Sequence, residues 1–195
     1  MWLNNLMEYS SSMTVQDALR KYYLDNQIPL DGGGGEKWAT YKIGPFQIVA
    51  FPNFAHRMSA IARHDVHHVV NQLETTSLGE GLIAAWELGS GCGKYWISWC
   101  MEPQALWWGI LMAPRRTFSL FLLGRRSRNF YHEKFDSETL NLSVGQVRTF
   151  LLPKQIPSFR LIDGVAFFAA AILGLFMIAV FIPIYLFFSI FSFFK

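Results

Sequence analysis

The chain has 195 residues, a net charge of +3, and a composition that is 52 % hydrophobic and 16 % aromatic. That length allows one ordinary domain plus an appendage, and so small a charge gives no electrostatic case for nucleic-acid binding. The hydrophobic excess is rich for a soluble protein and is concentrated at one end.

In chain order, the opening residues MWLNNLMEYSS carry neither a basic region ahead of a long apolar stretch nor an Arg-rich amphipathic pattern. Thr14-Val15-Gln16-Asp17 resembles a capping box and predicts a helix running to about Leu24. Asp31 and the glycines Gly32 to Gly35 break the chain. They read as a flexible turn, not a phosphate loop, because no Gly-Lys-Ser/Thr ending follows. Tyr41 to Phe51 alternates loosely around Gly44-Pro45, as a short hairpin or an extended stretch would.

After Asn53, a good helix cap, the pattern predicts helices near 54–74, 79–89, 94–112, 115–134 and 144–152. Pro103 should bend the third of these, and Pro114 stands before the fourth. Cys92 and Cys100 match no zinc-knuckle spacing and read as small core residues.

The run from Val165 to Phe194 contains no charged residue, and about 20 apolar residues suffice to cross a bilayer. It predicts a single tilted span, kinked at Pro183, and is too short for a hairpin of two spans. Lys154 and Arg160 precede it and only Lys195 follows, so the positive-inside bias places the domain in the cytoplasm, tail-anchored. The expected fold is mainly α. It comprises an N-terminal helix, glycine-rich turn and extended segment (1–52), a small helical domain with the candidate metal site on a helical hairpin (53–162), and a membrane anchor (163–195).

On a helix from Phe54 to Glu74, an apolar stripe through Met58 and Ile61 runs directly into Asp65 and His68. His64 and His68 differ by about 40° and Asp65 falls about 100° from His64, so all three fit one arc. Burying two imidazoles and a carboxylate there is costly unless they are hydrogen-bonded or bind a cation. A helical hairpin turning at Gly79 would bring Glu80 to face them. Two imidazoles and two carboxylates suit zinc, and also iron, manganese or cobalt. Two plainer readings stand beside this one. Ser77-Leu78-Gly79-Glu80 fits a capping box in which Glu80 bonds back to Ser77, and Asp65 could pair with Arg57 or Arg63.

The string HDVHHVVNQLETTSLGE, read as His-Asp-x-x-His followed after eleven residues by Glu, resembles the signature of the coenzyme Q biosynthesis protein 4 family. The similarity extends through GEGLIAAWELGSGCG and GRRSRNFY, covering much of 45–152. The resemblance implies that His64, Asp65, His68 and Glu80 are ligands of one divalent metal. It also implies metal-assisted oxidative decarboxylation of a polyprenylated hydroxybenzoate in ubiquinone biosynthesis. Gln72 and Glu74 stand where eukaryotic members usually show Gly and Pro, and the C-terminal span is unlike peripheral members, which points to a bacterial branch. The implied partners are membrane lipids, a prenyl-tailed aromatic substrate and other quinone-biosynthesis proteins. A non-catalytic lipid-binding organiser of such a complex is the alternative function.

His67 completes a His-x-x-His-His string like one box of membrane desaturases, but His56 and His132 build no further boxes. His67 and His56 are therefore expected to be solvated or to sit behind the ligands. Trp96, Trp99, Trp107 and Trp108 read as a core cluster or as a groove for an isoprenoid tail. Arg115, Arg116, Arg125, Arg126 and Arg128 read as a solvated face or as contacts to anionic headgroups.

Overall fold

Eight helices and one β-hairpin make up the described chain in a computed structural model that covers residues 9–43, 46–155 and 158–192, with side chains left out at 41–43, 46–52 and 188–192. The elements are α1 (Val15–Asp25), β1 (Trp38–Ile43), β2 (Phe46–Pro52), α2 (Ala55–Asn71), α3 (Ser77–Ser90), α4 (Trp96–Met112), α5 (Pro114–Gly124), α6 (Ser137–Asn141), α7 (Val144–Leu151) and α8 (Leu161–Ser192). The fold is mainly α, as the sequence predicts. The extended segment is an antiparallel hairpin that pairs Trp38 with Pro52 and Ile43 with Phe46. Its expected turn residues, Gly44-Pro45, lie outside the described residues.

Thr14 caps α1 as predicted, its hydroxyl accepting from the Asp17 N–H at 3.1 Å. Asp31 holds the glycine turn by accepting from the N–H groups of Gly33 and Gly35, at 3.0 and 2.7 Å. Those bonds hold its carboxyl below the usual range. Asn53 does not cap α2. Its amide donates to the carbonyls of Gly33 and Glu36, at 2.9 and 3.0 Å, and so ties the glycine turn to the start of that helix.

Helix α3 is the centre of the molecule and is buried on every face from Gly81 to Gly89. Its neighbours come close because small residues meet backbone. A Cβ on Gly81 would lie 2.1 Å from the Gly109 nitrogen of α4, and one on Gly124 of α5 would lie 2.2 Å from the Trp86 carbonyl oxygen. A second core joins α1, α2 and α7 through Tyr22, Val66, Val69, Phe130 and Val147.

The fourth predicted helix, 115–134, is too long. It ends at Gly124, and the chain after it turns at Asn129. The buried Asn129 amide donates to Ser90 Oγ and the Gly91 carbonyl, at 2.7 and 2.8 Å, while its oxygen accepts from the Tyr131 N–H at 2.9 Å. This folds the chain back across the end of α3 and delivers Phe130 and Tyr131 to the interior.

Helix α8 is long and apolar enough to cross a membrane over Leu161–Phe187, with a mean hydropathy of 2.8. It also packs along α4. Gly174 abuts the Pro103 carbonyl, and the Trp107 indole donates to the Ala171 carbonyl at 3.0 Å. Asp163, wholly buried in its first turn, pairs with Arg125 at 3.2 Å and Arg126 at 2.9 Å.

Candidate metal centre

His64 and His68 stand one turn apart on α2, and their partners fix which ring nitrogens carry hydrogen. His68 Nδ1 lies 3.1 Å from the Leu73 carbonyl, which can only accept, so this nitrogen donates. His64 Nδ1 lies 3.1 and 3.2 Å from the two oxygens of Glu87, and it donates as well. In the neutral rings both Nε2 lone pairs therefore face one spot, only 3.1 Å apart. Two facing lone pairs repel unless a proton or a cation lies between them.

Glu80 completes the spot, with Oε2 at 3.4 Å from His64 Nε2 and Oε1 at 3.5 Å from His68 Nε2. The local rival, a capping box at Glu80, fails for a specific reason. The cap of α3 is Thr76, whose hydroxyl accepts from the Gly79 N–H at 3.1 Å, so Glu80 lies one residue past the position that reaches back. Burial pushes the Glu80 carboxyl up, but His68 and His64 outweigh it and hold it well below the ordinary range. Burial lowers His64, but Glu87, Glu102 and Glu80 reverse this and raise it well above the usual imidazole value. One donor atom from each of His64, His68 and Glu80 lies within 4.8 Å of the others, so this group can hold a metal ion. The donor chemistry fits a divalent cation.

Asp65 is placed differently from the other three. It is buried, and its Oδ2 accepts from the Tyr23 hydroxyl at 2.8 Å, beside the glycine turn at Gly32. Burial pushes its pKa up to about 6, against the pull of His64 and Tyr23. Arg63 does not pair with it; the Arg63 guanidinium donates to the Phe130 carbonyl at 3.1 Å.

Sequence reasoning missed two residues of the centre, Glu87 and Glu102. Glu87, wholly buried on α3, accepts from His67 Nδ1 at 2.6 Å and from the Tyr131 hydroxyl at 3.1 Å, besides facing His64. His67 is not solvated. It is wholly buried, and its Nε2 accepts from the Phe130 N–H at 3.0 Å; burial lowers its pKa and keeps the ring neutral. A signal for both glutamates was present, since each is a lone carboxylate in an otherwise apolar helical stretch, LIAAWELG and WCMEPQALWW.

A cavity of about 830 Å³ joins the centre to α8. It is lined by His64, Asp65, Glu80 and Glu102 around the centre, and by Trp107 and Trp108 of α4 and Ile178 and Ile182 of α8. Of the four tryptophans predicted to form a groove, Trp96 and Trp99 stand outside this cavity. Trp96 stacks on Phe54 and His56, and the Trp99 indole donates to the Gly93 carbonyl at 3.0 Å. The arginines also divide. Arg125 and Arg126 hold Asp163, Arg128 lies over the Phe150 ring, and Arg115 is exposed at the start of α5 with Arg116 half-buried beside it.

No family model, no curated protein and no solved structure matches this chain.

Proposed function

We propose that this chain is a membrane-associated metalloprotein of quinone biosynthesis that acts on a polyprenylated hydroxybenzoate. One observation carries the reading. Two imidazole nitrogens lie 3.1 Å apart with the Glu80 carboxylate against them, and His64 and Glu80 line a cavity that apolar residues of α4 and α8 also line. A molecule with an acidic aromatic head and a long apolar tail matches both kinds of lining.

Zinc is the metal we assign to His64, His68 and Glu80, since three such ligands leave a tetrahedral ion one position for water or substrate. When bound, it would supply Lewis-acid polarisation of the phenol or carboxylate oxygens of the ring. Glu87 and the Leu73 carbonyl hold the two imidazoles in the tautomer a metal needs. Asp65, whose Oδ2 is bonded to Tyr23, is the fourth candidate ligand through its other oxygen. Arg57 also lines the cavity and offers a cation to the ring carboxylate. In the net reaction, the ring carboxylic acid, water and dioxygen give the hydroxylated ring, carbon dioxide and hydrogen peroxide: the ring–carboxyl bond breaks, the hydroxyl oxygen comes from water, and dioxygen takes the two electrons. The tail lies along Trp107, Trp108 and Ile182 and enters from the bilayer that holds α8, with the domain on the cytoplasmic side.

The test is turnover of a polyprenyl hydroxybenzoate by the full chain in detergent, stripped and reloaded with zinc, iron, manganese or cobalt, under air and under nitrogen. Mass spectrometry should find the decarboxylated, hydroxylated ring with the wild type under air and none with Glu80→Ala. Absence of product with every metal contradicts the enzyme reading and favours the lipid-binding organiser.

A further inference from the structure

Glu102 is a buried carboxyl to which the fold supplies no good donor. It is 7 % exposed and faces the cavity from α4. Among the described residues its ion-pair neighbour is His64 Nδ1 at 3.8 Å, too far for a hydrogen bond. The group within hydrogen-bonding reach is another carboxyl, that of Glu87. Glu87 already receives His67, Tyr131 and His64, so its donors are spent before Glu102 is served.

These two adjacent buried carboxyls have no ion pair to Lys or Arg among the described residues and meet only the Nδ1 edge of His64, so either a shared proton or a cation must hold them together. An ion at the His64–His68–Glu80 position does not supply it, because that position lies on the opposite edge of the His64 ring. Nε2 faces His68 and Glu80, whereas Nδ1 faces Glu87 and Glu102. One donor atom from each of His64, Glu87 and Glu102 also lies within 4.8 Å of the others.

We propose that Glu87, Glu102 and the Nδ1 edge of His64 form a second divalent-cation site, back to back with the first across the His64 ring. Two carboxylates and one imidazole suit manganese, iron or zinc. On binding, the Nδ1 proton of His64 leaves to solvent and the nitrogen becomes a ligand shared across the ring. Glu102 lines the cavity, so the second ion would be accessible to a ligand there. The proposal extends the metal reading of the first position, and the two can fail separately.

The experiment is a titration of the chelator-stripped full chain in detergent with manganese(II), with metal counted after desalting. The wild type should hold two ions per chain, and Glu102→Gln and Glu80→Gln one each. Wild-type retention of one ion that Glu80→Gln loses and Glu102→Gln keeps overturns the second site, leaving Glu87 and Glu102 with a shared proton. One ion that Glu102→Gln loses and Glu80→Gln keeps supports the second site and sinks the first. No ion in the wild type sinks both. Electron paramagnetic resonance of the saturated wild type needs no variant. Spin-coupled manganese supports the pair, and only an isolated-ion spectrum at saturation overturns it.

Discussion

Helices α3 and α8 are both strongly apolar, yet their surroundings differ. Helix α3 is buried from Gly81 to Gly89, and its two carboxylates, Glu80 and Glu87, both project toward the histidines of α2. Helix α8 has one carboxylate, Asp163 in its first turn, and is then free of charge, with Phe168, Ile172, Leu175 and Phe176 exposed. Hydrophobicity alone would class the two together. What separates them is whether the apolar side chains are covered by protein and where the few charges fall. A charge inside a buried apolar helix points to chemistry, and exposed apolar residues along a charge-free helix are what a membrane span needs.

The most severe way to break this comparison is to remove the inner charge. Glu87→Ala strands His64, His67 and Tyr131 together, and is expected to cost about 3–5 kcal/mol in denaturant unfolding. A cost near zero would mean that Glu87 is not the hub its contacts describe. Putting a charge on the outer helix comes next. Leu175→Arg should cost about 2.5–3.5 kcal/mol of insertion if α8 lies in lipid, and should shift the chain from the membrane to the soluble fraction. Unchanged partition would show that α8 meets water or another protein surface.

Close packing around α3 gives a third handle. Gly81→Ala drives a methyl into the backbone of Gly109 and should lower stability by about 1–3 kcal/mol, read from the denaturant midpoint. A smaller effect is expected from pH. Before metal binds, His64 is held protonated by Glu87, Glu102 and Glu80, so a metal must displace that proton. Affinity should rise with pH, by about tenfold per unit below the raised pKa of His64. A flat profile in a metal titration would place the ion elsewhere. Arg115→Ser should be the mildest change, weakening binding to anionic vesicles by about 1 kcal/mol with no loss of stability.

Much of the scaffold was legible in the sequence because it is local. The Thr14 cap, the hairpin between Trp38 and Pro52, the two histidines one turn apart and the charge-free run of α8 are each set by residues a few positions apart. The errors are long-range. The 115–134 helix was overextended because the turn after it is held by Asn129 reaching across to Ser90 and Gly91. The sequence does not decide between solvent and a place behind the ligands for His67, because the Phe130 N–H that holds it comes from a distant turn. The helical wheel places Asp65 beside the histidines but does not show Tyr23, which bonds its Oδ2. Glu87 lies seven residues after Glu80, two turns along the same face, and that spacing could have found it.

The measurement that goes most directly to the His64–His68–Glu80 centre is metal content per chain in the purified full-length protein. Wild type, His68→Ala and Glu80→Ala would be compared by elemental analysis after identical loading. The two variants should each carry at least one ion fewer per chain than the wild type while keeping its helical circular dichroism. Equal metal content in all three would contradict the account.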